Sequence, residues 1–277
     1  MTEKPRTGHL ANAWINIDKG ADPGFFVRFL DASRVRALAF ARSNPDAAFA
    51  HLALKSGMTI LDCGCGTGDM LALMARLTAP GKASGGDLSA AMIQEAKTRS
   101  SSSGVTNVDF NVMDVQKIPF PDQSFDRVLA TQLLIHVPDP HKAFREMCRV
   151  TAPMGRVALS DMDWDGLLVG CSNLEIGRRF TRLFSDGIRN PVVVREFAGW
   201  FKAEGFVNIR TIPVPLVFDD WAFFREWMIA PSLPHFIAQG AMSREEAEFF
   251  VADLESRNAA GKFLAACTLY TVVADRP

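Results

Sequence analysis

Apolar positions change their spacing along the chain, and each change marks an element. From Pro23 they recur at three and four residues: Phe25, Phe26, Phe29 and Leu30, then Val35, Leu38 and Ala39. That period puts them on one face and predicts a helix. A second short helix is expected over 46–54. At Met58-Thr59-Ile60-Leu61 the period breaks into a short β-branched and apolar run that ends in glycines, as a buried parallel strand does. The next hundred residues alternate. The pattern predicts helix 70–77, strand 83–87 and helix 89–100 with Ser89 as N-cap. A linker-like turn over the four serines at 100–104 is followed by strands 108–112 and 125–131, helix 140–150 and strand 156–161. Strands alternating with helices mean βαβ units and a mostly parallel sheet covered on both faces.

Beyond Asp161 the rhythm breaks. Residues 162–205 read as helices interrupted at Asn190-Pro191, and 206–212 as a strand. Residues 219–230 and 243–258 are helical in pattern, with a turn near Pro231 and Pro234. Residues 262–274 form a long final strand. The two late strands are expected to pair antiparallel at the sheet edge. The chain therefore divides into a helical N-terminal cap (1–55), an α/β core (56–161), an insertion that carries one late strand (162–260) and a last strand (261–277).

Composition narrows the partners. At 277 residues, 48% apolar and 22% charged, the chain can bury a sizeable core, and wholesale disorder is excluded. Lys and Arg total 30 against 31 Asp and Glu; a protein that grips duplex nucleic acid normally carries a basic excess. No eighteen-residue apolar run predicts a membrane span, and the first twenty residues do not read as a signal peptide. Five cysteines do not make a disulfide framework, so a reducing cytoplasm is the expected setting. Phenylalanine occurs 21 times and tyrosine once. That imbalance fits either a Phe-packed core or an apolar binding pocket.

The strongest chemical signal is Ile60-Leu61-Asp62-Cys63-Gly64-Cys65-Gly66-Thr67-Gly68-Asp69, a strand running into glycines and then a helix. Glycines let backbone approach a ligand, and the helix start offers N–H groups suited to a carboxylate. The dinucleotide fingerprint G-x-G-x-x-G fails here, because its third glycine would fall at Asp69. The phosphate-loop pattern fails for want of a lysine. Two further carboxylates end strands: Asp87 in Gly85-Gly86-Asp87-Leu88-Ser89, and Asp114 in Val112-Met113-Asp114-Val115. Downstream come Ile118-Pro119-Phe120-Pro121-Asp122-Gln123-Ser124-Phe125-Asp126 and His136-Val137-Pro138-Asp139-Pro140, then Glu146, Arg149-Val150, Pro153 and Gly155.

This set resembles the class I S-adenosylmethionine (AdoMet)-dependent methyltransferases over roughly residues 50–165, and is similar to the small-molecule group that includes the ubiquinone/menaquinone-biosynthesis and sterol-type enzymes. The resemblance implies a Rossmann-like fold with a mostly parallel seven-stranded sheet, an antiparallel last strand, a helical cap and an inserted lid. It implies AdoMet as cofactor and S-adenosylhomocysteine as product. On it, Asp62, Gly64, Cys65, Gly66 and Gly68 hold the methionine end. Asp87, Leu88 and Met92 serve the ribose side, Asp114 and Val115 the adenine, and Thr131 lines the site after the fourth strand. The implied acceptor is a small, hydrophobic metabolite, methylated at O, N or C and shaped by the 162–260 lid. Two alternatives stand beside this reading: a cyclase or pericyclic catalyst using the sulfonium as a fixed charge, and a non-catalytic AdoMet-binding module. The oligomeric state is open, a homodimer being one arrangement.

Other residues each carry two readings. His136, just past the fourth strand, is the candidate general base, or packs beside the cofactor. Cys63 and Cys65 are read as small fillers of the loop. Asp161-Met162-Asp163-Trp164-Asp165-Gly166 imitates the start of a calcium loop, but its twelfth position is Ser172, and no metal site is expected. Arg178, Arg179, Arg182, Arg189 and Arg195 are a solvated face or a clamp for an anionic acceptor. Trp221, Phe223, Phe224, Trp227 and Met228, with Phe25, Phe26 and Phe29, are core or the roof of a greasy cavity. The Asn/Asp-Pro-Pro-aromatic motif of amino-directed DNA methylation and a Pro-Cys nucleophile are both missing.

Overall fold

The computed structural model describes residues 14–19, 24–32 and 48–277. Val35, Leu38 and Ala39 of the expected first helix lie outside the described residues, as does most of the 1–55 cap. What is described of the cap is a 3₁₀ turn (Trp14–Lys19), helix α1 (24–32) and a second 3₁₀ turn (Ala48–Leu52).

Seven strands form one sheet. They are β1 (Ile60–Cys63), β2 (Ala83–Asp87), β3 (Val108–Val112), β4 (Phe125–Thr131), β5 (Thr151–Val169), β6 (Val207–Phe218) and β7 (Ala265–Asp275), in the order β3-β2-β1-β4-β5-β7-β6. β1 to β5 run parallel, and β7 is antiparallel to both neighbours. The order reverses at β1, so the crevice between the outgoing connections of β1 and β4 is where an open α/β sheet takes its ligand.

The helices are set by caps in the sequence. They are α2 (Asp69–Thr78), α3 (Ala90–Ser103), α4 (Pro140–Val150), α5 (Leu174–Asp186), α6 (Phe197–Ala203), α7 (Trp221–Phe224), α8 (Leu233–Ala238) and α9 (Arg244–Ala259). Ser89 does cap α3, accepting the Met92 N–H, and Asp139 caps α4 with Pro140 in the first turn. The four serines are helical rather than a turn. The Ser101 and Ser102 hydroxyls bond the carbonyls four residues back at 2.9 and 3.0 Å, and Gly104, at φ +67°, stops the helix.

β5 begins five residues earlier than its apolar run and continues eight residues beyond Asp161, because β7 pairs with it as far as Val169. The sheet therefore runs through the 161/162 boundary. β6 likewise extends to Phe218 on the strength of the β7 ladder, although Pro213 and Pro215 give its outer edge no donors. Asn190-Pro191 does break the helices, between α5 and a 3₁₀ turn at Val193–Glu196.

Most of the aromatic surplus is packing. Phe144, Phe180, Phe197, Phe201, Phe224 and Phe250 are fully buried beneath α4 to α9, with the Phe180 and Phe250 rings stacked at 4.5 Å. A smaller cluster around Ile60, Leu71, Met74 and Phe110 fills the opposite face under α2 and α3.

Candidate cofactor and acceptor site

The site starts where β1 ends. Asp62 is buried at 4% exposure, and burial first, then the neighbouring Asp87, push its carboxyl up to about 7. The loop that follows needs its glycines: Gly64, Gly66 and Gly68 sit at φ +72°, +52° and +77°. A Cβ on Gly68 would lie 2.7 Å from Phe110 Cε1, and one on Gly64 2.8 Å from Leu133 Cδ1. The loop is leashed to β2, since the Gly64 and Cys65 N–H groups both donate to the Gly86 carbonyl at 2.7 and 3.1 Å.

Asp87 turns back over this loop. Its carboxylate accepts the Gly66 N–H at 3.0 Å and the Ser89 N–H at 2.9 Å, leaving lone pairs on both oxygens for a diol. Burial holds its pKa above the usual carboxylate value. Leu88, beside it, is half-exposed at the rim, whereas Met92 and Val115 are buried. Asp114 is exposed at the end of β3 and accepts both the backbone and side-chain N–H groups of Gln116, whose amide oxygen takes the Asp139 N–H. Thr131 ends β4 with its hydroxyl buried and without a hydrogen-bond partner among the described residues. Cys63 and Cys65 are buried, and burial drives both thiols far up, so they stay neutral and fill space. The residues of the expected cofactor set thus lie along the carboxyl ends of β1 to β4 or in the turns that follow, except Met92, which is in the first turn of α3.

Asp69, which broke the dinucleotide pattern, accepts the hydroxyl of Thr67 in the loop at 2.9 Å and pairs with Arg99 Nη1 at 3.1 Å.

His136 lies in the turn after β4, half-buried. Burial and the nearby Arg189 lower its pKa to about 3. Three contacts fix that turn. Asp161 accepts the Leu134 N–H at 3.1 Å, and the Asn190 side-chain amide donates to the Leu134 and Val137 carbonyls at 2.8 and 2.7 Å. Asp161 is 1% exposed, and burial raises its pKa well above the ordinary range. None of the three is marked by a local sequence pattern; the Asn190-Pro191 break is the single hint.

The remaining candidates sort by partner. Arg195 binds both Asp163 and Asp165, at 2.7 and 3.1 Å, two of the three carboxylates of the calcium-like run, while Asp161 accepts the Leu134 N–H. Arg179 is taken by Glu175 and Glu246, and Arg182 lies 3.9 Å from Asp186, so these arginines serve ion pairs within the insertion. Among the described residues no cluster of three His, Cys, Asp or Glu could hold a metal, and no helix is long and apolar enough to cross a membrane. The aromatic set divides. Phe224 and Met228 are buried, and Trp221 meets Phe263 edge to face. Trp227, in contrast, meets Phe25 and Phe29 of α1 at 5.2 and 5.3 Å, and Phe223 meets Phe29 at 6.4 Å.

A glycine loop with one buried and one half-buried carboxylate, a third at the next strand end and aromatic residues of α1 nearby defines a class of protein: one that receives a cationic nucleoside. The fit is electrostatic. Burial and the neighbouring Asp87 hold the Asp62 carboxyl high, and a ligand bearing an ammonium and a sulfonium relieves that conflict. The chain belongs to the AdoMet-dependent methyltransferases, and AdoMet is its cofactor. Residues 54–183 match the methyltransferase-domain family. Over 237 residues the chain is 32% identical to an uncharacterised 37.1 kDa protein in transposon TN4556 of Streptomyces fradiae, covering 84% of this chain and 67% of that protein. It is 39% identical over 102 residues to a ubiquinone/menaquinone biosynthesis C-methyltransferase of Desulfotalea psychrophila, covering 37% and 40%. The chain thus spans about two fifths of that enzyme. The crystal structure of the YcgJ protein from Bacillus subtilis shares the fold, with a TM-score of 0.56, 20% identity and coverage of 82% and 94%.

Proposed function

We propose that the protein methylates a small hydrophobic metabolite, with the acceptor seated between α1 and the 221–229 segment. The observation that supports this reading is the contact of Trp227 with Phe25 and Phe29 of α1, the helix whose Leu30 rests against Gly66 of the loop. Bound AdoMet supplies an electrophilic methyl group on a positively charged sulfur. The protein's share is alignment, which alone contributes about 7–11 kcal/mol in well-oriented reactions. Asp62 takes the ammonium, the Gly64–Gly68 backbone the carboxylate, Asp87 the ribose diol and Asp114 the adenine amino group. Leu88, Met92 and Val115 form the apolar walls of the nucleoside pocket, and Thr131 closes it toward β5. Residues 162–260 act as the lid that shapes the acceptor and excludes water.

His136 is assigned a positioning role. Held neutral with a pKa near 3, it gives a proton acceptor little driving force at neutral pH.

A metabolite screen that follows S-adenosylhomocysteine release, with mass spectrometry of the product, tests the proposal. A product heavier by one methyl supports it. Turnover with unchanged product mass and no S-adenosylhomocysteine indicates the cyclase instead. Binding without turnover across the panel indicates a binding module.

A further inference from the structure

The cofactor edge is crossed by two pieces of the N-terminal segment, and each sends one carboxylate into α3. Asp18, from the first 3₁₀ turn, accepts the Ser89 hydroxyl at 2.5 Å and the Ala90 N–H at 2.7 Å, beside the Asp87 turn. Asp31, from α1, takes Arg99 in a two-point contact: Nη1 to Oδ1 at 2.7 Å and Nη2 to Oδ2 at 3.2 Å. The same guanidinium donates Nη1 to Asp69, the first residue after the glycine loop, at 3.1 Å, and Nε to Glu95 at 2.7 Å. One side chain therefore joins α1, the exit of the glycine loop and α3. Leu30, the neighbour of Asp31, rests on the loop itself: a Cβ on Gly66 would sit 3.1 Å from its Cδ1.

We propose that Arg99 is a positioning residue for the cofactor, clamping α1 over Gly66 through Asp31 while Asp69 fixes the clamp to the loop. The clamp rests on the reading of this loop as the AdoMet site. A planar fork is required, since it must meet Asp31 with two nitrogens and Asp69 and Glu95 at the same time. The pair is also cheap to open. The Arg99 and Asp31 side chains are 21% and 42% exposed, and pairs of that exposure are weak and salt-screened. A contact that holds a bound nucleoside yet opens at each turnover needs both properties. Asp69 is the sequence trace of this arrangement, and it explains why the first residue of α2 is acidic where the dinucleotide pattern has its third glycine.

The test uses the full chain and S-adenosylhomocysteine, with affinity from calorimetry and release rate from stopped-flow fluorescence. Asp31→Asn and Arg99→Gln are expected to speed release about fivefold, the upper range for such a pair. Combined, they are expected to give no further change. Raising the salt is expected to speed release from the parent protein and leave it unchanged in either variant. Glu95→Gln also removes a bond to Arg99, but within α3, and is expected to stay within twofold of the parent. Should Arg99→Gln fail to fold, Asp31→Asn, at a half-exposed carboxylate, carries the test. Release within twofold of the parent in Asp31→Asn, or an equal effect of Glu95→Gln, overturns the clamp. A parent protein that does not bind S-adenosylhomocysteine overturns the site reading itself, and the clamp with it.

Discussion

Asp62 is unusual as a single residue because its stability and its use oppose one another. Its folded pKa, near 7, lies above the ordinary value of 3.8, so between these values the folded chain binds a proton that the unfolded chain does not. The ligand-free protein is therefore destabilised by this group as pH rises toward 7, and the effect is complete above 7. Asp62→Asn is expected to raise the melting temperature of the ligand-free protein at pH 8, by an amount corresponding to a few kcal/mol. Ligand affinity goes the other way. The ammonium of S-adenosylhomocysteine wants the anion, so calorimetry is expected to show affinity falling as pH drops below 7, and a weaker, flatter profile in Asp62→Asn. For His136 the expectation is the reverse of a catalytic base: His136→Ala is expected to leave the shape of the rate profile between pH 6 and 8 unchanged once an acceptor is known. A lost acidic limb there would restore the base.

Among the elements, the loop between β1 and α2 has the least room for change. Gly68→Ala places a Cβ at φ +77° against the Phe110 ring. Left-handed strain of about 1 kcal/mol and overpacking of about 1–3 kcal/mol are expected to appear together in chemical denaturation. This is also where the chain was most readable. The Asp62-to-Asp69 run, Asp87 and Asp114 follow from local rules, because strand ends, glycine turns and caps are written within a few residues of one another. What the chain did not announce depends on distant pairing. The extension of β5 to Val169 and of β6 to Phe218 comes from β7, roughly a hundred residues away in the first case and fifty in the other. Hydroxyl back-bonding kept 100–103 helical where composition suggested a turn. The attachments of α1 to α3 join residues about seventy positions apart, and no local pattern marks Arg99 or Asp18.

For the molecule as a whole, the two aromatic populations have different tasks and separate experimentally. Phe250, fully buried against Phe180, belongs to the framework. Phe250→Ala is expected to cost about 3–5 kcal/mol in denaturation, with S-adenosylhomocysteine affinity unchanged in the fraction that folds. Trp227 belongs to the proposed acceptor layer. Trp227→Ala is expected to raise the acceptor KM severalfold at unchanged S-adenosylhomocysteine affinity, and an unchanged KM would place the acceptor elsewhere. The Asn190 amide bears on any attempt to exchange substrate range by grafting. It reaches out of the variable half of the chain to saturate two carbonyls in the turn behind β4. A donor segment spanning 162–205 that lacks an amide at this place would strand those carbonyls in a dry interior. Swapped hybrids built at the Asp161 junction should therefore sort by whether they bring this one hydrogen-bond donor with them, whatever metabolite the graft was chosen for.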